Sequence, residues 1–415
     1  SWFLAMGFVP DFEFGEKYLQ QVIGSIENHG VIHVDERGLF HEILPGAIER
    51  QMRDIKHTEV MIPLSGGFDS RLLLGAALRV LPASSITCAT FGMVESDDVQ
   101  VAREICRKLG VRHIWIDPSS YDWTLDHVVD YARKRGELVP GLFAESAARM
   151  SELVELYTDS RAVVLSGYFG GLLTGQRLPV DHDHRSNLDA EVELFFRKNT
   201  VLPDIQRKVL SDHTAWRGFI KRNRWPSHLD GATPYEALDC AFRQCQRIDR
   251  NLPGKLANMV QPFMDPVWMN YWFSLGLEQR RRQKAYANGI RTFYPEVFTR
   301  NEWVSEPIVD RVRKRLRRGL RKLRMVPERR GSSQIPTRFL ERASPANNES
   351  LSRMYREAAS SFDSRGLFPG FSAREAVERV CAGDYSAGDQ AHWLVSAEVN
   401  LQAGNFHLHP QLQKQ

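Results

Sequence analysis

The residue types best suited to chemistry in this sequence lie in a short loop of glycine, serine and aspartate. Residues 65–70 read SGGFDS, after an apolar run at 58–64 and before a helical run at 72–81. Two glycines let the backbone approach a ligand and expose N–H groups, and two serines add hydroxyl donors. A helix that starts here directs its positive end into the same space. The pattern therefore predicts an anion-binding loop.

Asp69 is the unusual residue of this loop, because a carboxylate repels an anion. Its presence is explained if a divalent cation bridges the carboxylate to bound phosphates. The alternative is a structural Gly-Gly turn in which Asp69 or Ser70 caps the following helix. That alternative does not explain why two glycines and two serines frame the acid. We therefore predict that Asp69 is a metal ligand and a catalytic residue.

The elements that must position this loop alternate between strands and helices. Apolar and β-branched runs predict strands at residues 58–64, 85–91, 111–116 and 161–165, and helical spacing predicts helices at 72–81 and 99–109. Strand–helix alternation of this kind predicts an α/β fold with a doubly wound parallel sheet.

The second half of the chain has a different character. After about residue 175, strand-like runs become rare, and aromatic-rich helical stretches are interrupted by prolines. We predict an N-terminal segment at 1–57, an α/β domain at 58–180 and a mainly helical region at 181–415 that completes the same unit.

Composition limits the class of protein and its location. With 42% hydrophobic residues among 415, the chain can bury a sizeable core, which excludes global disorder. No uncharged apolar run reaches the roughly 18 residues of a membrane-spanning helix, and the run at 267–277 predicts a core helix instead. Five cysteines without a CxxC pair disfavour zinc ribbons and disulfide scaffolds. Since the start does not read as a signal peptide, we expect a cytoplasmic location.

The loop SGGFDS resembles the pyrophosphate loop of the N-type ATP pyrophosphatases. Within that superfamily, the chain resembles the asparagine synthetase-like family, which includes β-lactam synthetases and lasso-peptide cyclases, over about residues 30 to 300. Three further segments are similar to the family's motifs: DDVQVAR at 97–103 with the following Leu109, Gly110 and His113, VLSG at 164–167, and QPFMD at 261–265.

The resemblance implies a fold and a reaction. The fold would be the PP-loop, adenine nucleotide alpha hydrolase-like fold with a helical C-terminal region. Such enzymes bind ATP and Mg²⁺, adenylate a carboxylate and release pyrophosphate, and ammonia or an amine then displaces AMP to form an amide. By the same resemblance, Asp69 would hold Mg²⁺. The nucleotide would contact Leu64, Ser65, Gly66, Gly67, Asp69, Ser70, Phe91, Gly92, Ser166 and Gly167.

Two departures from the family pattern stand out. The second acidic motif, approximately S-G-x-G-x-D-E-L, reads SGYFGGLL at 166–173, so Gly171 and Leu172 replace the two acids. A different carboxylate such as Asp97 or Asp98, weaker metal binding or impaired catalysis could follow from this change. There is also no cysteine before Cys88, and only about 57 residues precede the first strand. We therefore expect no glutaminase activity of the asparagine synthetase type, with ammonia coming from solution or from a separate glutaminase.

Other polar segments have weaker interpretations. Lys284 lies where the family places a catalytic lysine; Arg280, Arg281 and Arg282 compete for that role, and a solvated basic face is the alternative. The segment DHDH at 181–184 could ligate a metal or form a solvated loop. Glu137 and Glu145 are either substrate-site acids or surface helix residues.

A basic amphipathic helix is predicted at 308–324, where leucines recur at helical spacing among lysines and arginines. It could contact an anionic membrane surface weakly, bind a phosphorylated substrate, or pack as a solvated helix. Since it lacks interleaved aromatic residues, we expect no nucleic-acid partner.

The leading hypothesis is an ATP-dependent ligase that forms an amide on a small-molecule, sugar-acid or peptide carboxylate. An intramolecular cyclase, a degenerate ATP-binding protein without catalysis and a tRNA-modifying enzyme are the alternatives. The intramolecular cyclase is the nearest alternative among enzymes, and the missing acids at positions 171 and 172 suggest the degenerate protein.

Overall fold

The fold was analysed in a computed structural model. The structure describes residues 2–28, 40–53, 59–92, 94, 96–116, 122–135, 138, 162–178, 187–200, 213–229, 231–248, 258–298, 345–368 and 371–408.

A five-stranded parallel sheet forms the centre of the described structure. Its strands are β1 Glu59–Pro63, β2 Ile86–Phe91, β3 Arg112–Ile116, β4 Ala162–Leu165 and β5 Asn258–Val260. The strand order is β3-β2-β1-β4-β5, and every neighbouring pair is parallel. The four predicted strands are each confirmed to within one residue at either end. The predicted α/β fold with a parallel sheet is therefore confirmed.

Helices make up most of the remaining described chain. In chain order they are α1 Trp2–Met6, α2 Phe12–Glu27, α3 Phe40–Met52, α4 Phe68–Val80, α5 Asp97–Leu109, α6 Leu125–Arg135, α7 Gly170–Leu173, α8 Leu188–Asn199, α9 Thr214–Arg222, α10 Pro234–Leu238, α11 Pro266–Ser274, α12 Leu277–Arg280, α13 Lys284–Phe293, α14 Glu349–Ser364, α15 Ala373–Cys381 and α16 Gly388–Ala403. A π-helix follows α10 at Asp239–Ile248, and 3-10 turns lie at Ala83–Ser85, Pro262–Met264, Arg281–Gln283, Pro295–Val297, Tyr385–Ala387 and Asn405–Leu408.

Local sequence explains the bounds of the helices near the sheet. The Ser96 side chain accepts a hydrogen bond from the Val99 N–H at the start of α5, so it caps the free amides there. At the other end, Gly110 adopts the left-handed conformation with φ of 66° and stops the helix, as predicted. Most of the apolar run at 267–277 lies in α11, which ends at Ser274, and its Trp268 and Trp272 are fully buried, as expected of a core helix.

The sheet reverses its direction of growth at one place. From β1 the chain adds β2 and β3 on one side, and it then returns to add β4 and β5 on the other side. In open parallel sheets, ligands bind beyond the carboxyl ends of the strands at such a switch point. Here the switch point lies between β1 and β4, so residues 65–70 and 166–169 lie at the same edge of the sheet.

The strand β5 was not predicted, because it contributes only three residues and lies inside the helical part of the sequence. It pairs with β4 through Leu165 and Val260, and the Ser166 N–H donates to the Val260 carbonyl at 2.9 Å. The helical region therefore completes the sheet.

The N-terminal helices belong to the same hydrophobic core. The ring of Phe3 packs edge-on against Trp393, and Phe12 packs edge-on against Trp216. Helix α3 lies against α4 and α11. Among the residues that the structure describes, no helix combines the length and the apolar character needed to span a bilayer.

The family-like segment at 261–265 has a structural role through its acid. Asp265 caps α11 by accepting from the N–H groups of Val267 and Trp268, at 3.1 and 3.4 Å. Its two carboxylate oxygens also accept from the Arg50 guanidinium of α3, at 2.7 and 3.1 Å. Asp265 is almost fully buried, so this one carboxylate joins two helices.

We predict that Asp265→Ala lowers the free energy of unfolding by about 1–2 kcal/mol, the usual cost of losing an N-cap. Asp265→Asn keeps an oxygen acceptor for the helix and loses only a partly exposed ion pair, so its loss should stay below about 1 kcal/mol. Urea unfolding monitored by circular dichroism measures both values. An equal loss in the two variants would assign the stabilisation to the Arg50 pair rather than to the cap.

Candidate functional site

The loop at 65–70 is held by its own serine hydroxyls. The Ser65 N–H donates to Ser70 Oγ at 3.0 Å, the Gly67 N–H donates to Ser65 Oγ at 3.1 Å, and the two hydroxyls lie 3.1 Å apart. Gly67 occupies the N-cap position of α4 without a capping side chain. The amides of Ser65 and Gly67 are thus satisfied within the loop, beside the N-terminus of α4, and a bound anion would have to take over these hydrogen bonds.

Asp98, in the first turn of α5, makes an unexpected contact with this loop. The Gly66 N–H donates to Asp98 Oδ1 at 2.7 Å. A carboxylate thus accepts one of the amide hydrogens that were predicted to bind phosphate. Asp98 was identified as part of the family-like segment at 97–103 and as a candidate replacement metal ligand, and nothing in its spacing indicated a contact with Gly66.

Asp69 lies in the first turn of α4 and is held by Tyr286 of α13. The phenol donates to Asp69 Oδ1 at 2.7 Å. Burial raises the pKa of Asp69 from its ordinary 3.8 to about 6, and the hydrogen bond from Tyr286 opposes that rise. Burial and then the Asp69 charge raise the pKa of Tyr286 well above its ordinary value. Tyr286 is therefore a stable hydrogen-bond donor that orients the carboxylate.

A cavity of about 250 Å³ opens beside Asp69 at the switch point. It is lined by Pro63, Ser65, Gly67, Phe68, Asp69, Ser70, Gly167, Gln176 and Gln283. The structure thus brings the two sequence motifs together around one carboxylate. Gln176 and Gln283 were not identified from the sequence, because neither lies in a recognisable motif.

The second motif has a glycine-like backbone conformation at one position of the pattern although its acids are absent. In the pattern S-G-x-G-x-D-E-L, Phe169 takes the second glycine position, and its φ of 75° lies in the left-handed region that favours glycine. Gly171 takes the first acid position, and a Cβ built there would lie 3.8 Å from Asp69 Oδ2. The position therefore lies next to Gln176 and near Asp69 but offers no side-chain ligand, and Leu172 is buried.

The other predicted nucleotide residues lie at the same sheet edge but do not line the cavity. Leu64 is buried, and its carbonyl accepts from the Thr90 hydroxyl at 2.8 Å. Gly92 follows Phe91 at the end of β2, and its carbonyl accepts from Trp115 Nε1 at 2.7 Å. Ser166 is buried and accepts from the Tyr168 N–H. Their contacts with a nucleotide stay a prediction.

Lys284 starts α13 with an exposed side chain and is not a lining residue of the cavity. Its catalytic role stays a prediction. The preceding residues Arg282 and Gln283 both have positive φ, of 56° and 55°, so the chain turns sharply there. Tyr286, two residues after Lys284, is the residue of α13 that contacts Asp69. Its spacing of four residues from the buried Ile290 marks the inward face of the helix, which was the available signal.

The competing arginine Arg280 has a structural role. It is fully buried, forms an ion pair with Glu236, and donates to the carbonyls of Leu172 and Leu173 at 3.3 and 2.9 Å. Burial raises the pKa of Glu236, and Arg280 opposes that rise. Arg280 therefore fixes the end of α7, the turn that carries Gly171.

Several predicted sites lie outside the described residues: 181–184, Glu137, Glu145 and the basic segment 308–324. Within the described ranges, no group of three or more histidine, cysteine, aspartate or glutamate side chains could hold a metal ion. The cavity itself offers oxygen donors, from the Asp69 carboxylate, the Ser65 and Ser70 hydroxyls and the Gln176 amide. Oxygen donors with one carboxylate suit Mg²⁺ when phosphates and waters supply the remaining ligands.

A parallel sheet in the order β3-β2-β1-β4-β5, with a glycine-serine loop at its switch point and a helical C-terminal region, defines a PP-loop-type α/β protein. The sequence model of the asparagine synthase family matches residues 39–284, which is more than half of the chain. The chain therefore belongs to the asparagine synthase family, and the resemblance inferred from the sequence is confirmed. Membership supports, in general, an ATP-dependent amide-forming ligase.

A curated relative shows the same likeness over a shorter stretch. Over 67 residues the chain is 40% identical to a protein of Acanthamoeba polyphaga mimivirus named probable asparagine synthetase [glutamine-hydrolyzing]. The matched stretch is 16% of this chain and 12% of that relative.

We predict that Asp69→Asn stabilises the ligand-free protein above pH 6. Between about pH 4 and pH 6 the folded wild type binds more protons than the unfolded chain, so its stability falls as pH rises through that window. A shift of about two pKa units corresponds to at most about 3 kcal/mol. Urea unfolding at pH 4 and pH 7.5 should show a gain for the variant only at the higher pH. A wild type that is more stable than Asp69→Asn at pH 7.5 would contradict the assignment.

We also predict that Asp98→Ala binds inorganic pyrophosphate about fivefold more tightly without metal. The variant frees the Gly66 N–H for the anion. It also removes a negative charge that competes with pyrophosphate beside a helix N-terminus, and such a charge changes the binding free energy by about 1 kcal/mol. Isothermal titration calorimetry at low salt measures the difference. Glu375→Ala, which removes an exposed acid from the first turn of α15, is the matched control. Equal or weaker binding by Asp98→Ala would show that Asp98 does not compete with the anion.

Proposed function

We propose that this chain activates a carboxylate as its adenylate, releases pyrophosphate, and transfers the acyl group to ammonia or an amine. The supporting observation is the meeting of the loop at 65–70 with the 166–171 turn around Asp69, at the switch point of the sheet. Family membership supports the same reaction class. The substrate would be a small-molecule, sugar-acid or peptide carboxylate.

The residues of the chain would act mainly by binding and orientation. The loop amides, the hydroxyls of Ser65 and Ser70 and the positive end of α4 would hold the β and γ phosphates of ATP. Tyr286 would keep the Asp69 carboxylate directed into the cavity. When bound, Mg²⁺ would neutralise charge on the phosphates, and the residues that would hold it are Asp69 and the neighbouring oxygen donors.

The proposed reaction needs no reactant other than ATP, the carboxylate and the amine. A carboxylate oxygen attacks the α phosphorus, and the bond from that phosphorus to pyrophosphate breaks. The amine nitrogen then attacks the acyl carbon, the bond to AMP breaks, and the amine loses a proton to the surrounding water. The loop accepts the charge that develops on pyrophosphate, which is the step that an anion-binding site can stabilise.

Two alternatives make different products. An intramolecular cyclase would release AMP and pyrophosphate without ammonium or another amine. A degenerate ATP-binding protein, which the missing acids at 171 and 172 favour, would bind ATP and release nothing. We also propose a cytoplasmic location, in keeping with five cysteines that are all free thiols.

The test is a product assay with ATP, Mg²⁺, ammonium and a panel of carboxylic acids. Wild type should release pyrophosphate and AMP with at least one acid, and Asp69→Ala should lower that rate by about 10²–10³, the usual effect of removing a stabilising group from the transition state. Asp126→Ala, an exposed acid on α6, is the control for loss of one charge. Formation of ADP in place of AMP would overturn the proposal.

A further inference from the structure

We propose that the side-chain amide oxygen of Gln176 replaces the missing acid of the second motif as an oxygen ligand for the magnesium–nucleotide complex. The inference rests on the proposed function and concerns this chain's own residues beside Asp69. It assigns the site a preference for the complex of metal with a nucleoside triphosphate over the free metal ion.

The Gln176 side chain occupies the space beside Gly171. A Cβ built on Gly171 would overlap Gln176 Oε1, while lying 3.8 Å from Asp69 Oδ2. The amide oxygen therefore fills the position in which an acid at 171 would begin. An acid at 171 and Gln176 in its present rotamer exclude each other, so the glycine leaves room for the amide.

Backbone contacts hold Gln176 in this place. The Gln176 N–H donates to the Gly171 carbonyl at 3.1 Å, and the Thr174 hydroxyl donates to the Gly170 carbonyl at 3.0 Å. Gly175 has a φ of 73° and packs so closely on the Arg280 carbonyl that a Cβ there would lie 2.6 Å from its oxygen. The turn from 171 to 176 is thus fixed at both ends, and it directs Gln176 to the cavity mouth.

Gln176 is exposed at the cavity mouth, and no side chain or carbonyl of the described part of the chain engages its amide, so the amide oxygen is accessible to a ligand in the cavity. The second cavity glutamine differs, because Gln283 Nε2 donates to the Thr174 hydroxyl at 2.8 Å. Among the acids near the loop, the Asp98 carboxylate accepts from the Gly66 N–H. The side chain of Asp97 lies outside the described residues.

A neutral ligand changes what the site prefers to bind. A carbonyl oxygen is a suitable ligand for a hard cation, but it adds no negative charge. With one carboxylate in the cavity, free Mg²⁺ gains little, whereas a metal ion that already carries phosphate oxygens meets less repulsion from the protein. The site should therefore bind metal and nucleotide together.

The experiment is a titration of Mn²⁺ into the full chain, with and without α,β-methylene ATP, followed by electron paramagnetic resonance. Wild type should bind Mn²⁺ at least tenfold more tightly with the analogue than without it. Gln176→Leu, which keeps the volume and removes the oxygen, should weaken the ternary complex about tenfold, the lower end of the effect of losing a group that supports a metal site. Gln176→Glu should tighten the binding of free Mn²⁺.

A double-mutant cycle with Gly171→Asp tests the exchange directly. In the Gly171→Asp background a carboxylate takes the place of the amide, so Gln176→Leu should have less than a twofold effect there. Gln283→Leu is the matched control in the wild-type background and should change Mn²⁺ affinity less than Gln176→Leu. Thermal unfolding confirms that each variant is folded. Should Gln176→Leu unfold, Gln176→Glu decides by its effect on free Mn²⁺.

The Mn²⁺ titrations distinguish a failure of the Gln176 assignment from a failure of the proposed function. If wild type binds the analogue and Gln176→Leu binds it equally well, or if Gln283→Leu is equally harmful, Gln176 is not a ligand and the proposed function stands. If wild type binds no analogue at any Mn²⁺ concentration, the proposed function itself fails.

Discussion

The buried guanidinium of Arg280 is the contact on which the geometry of the site depends. A charge this deeply buried must be neutralised and hydrogen-bonded, and Arg280 meets both needs through Glu236 and the carbonyls of Gly231, Leu172 and Leu173. The carbonyls of Leu172 and Leu173 lie at the end of the short helix α7. The same interaction therefore joins the helical region to the second motif and fixes where Gly171 lies relative to Asp69.

The second motif separates the shape of a site from its chemistry. Phe169 has a left-handed backbone conformation, which is unfavourable for most residues other than glycine. Its ring is buried, and the centroids of the Phe169 and Tyr168 rings lie 5.7 Å apart. Packing of this ring offsets the strain. The turn thus combines a glycine-like conformation at Phe169 with a glycine and a leucine at the two acid positions of the pattern.

The sequence was sufficient for the parts of the site that are local in the chain. The strand, loop and helix from 58 to 81 follow one another directly, so apolar patterning and glycine placement predicted them. Contacts between distant segments could not be predicted in this way. Tyr286 and Asp69 are 217 residues apart, and their hydrogen bond depends on how α13 packs against α4. The three residues of β5 carry too little pattern to identify a strand. The role proposed for Gln176 depends on the space that Gly171, which has no Cβ, leaves for the glutamine amide.

The pairing of β5 with β4 gives the molecule a short mechanical linkage. Val260 pairs with Leu165, and the chain then continues through the 3-10 turn at Pro262–Met264 into α11, whose cap Asp265 is joined to α3. Ser166 and Gly167 follow directly after Leu165, the last residue of β4. A force applied to the helical region would reach the turn at Ser166 and Gly167 through this pair of neighbouring strands as well as through the contacts of Arg280. Along the strand pair, displacements of the two regions are coupled over the spacing of neighbouring strands, about 5 Å.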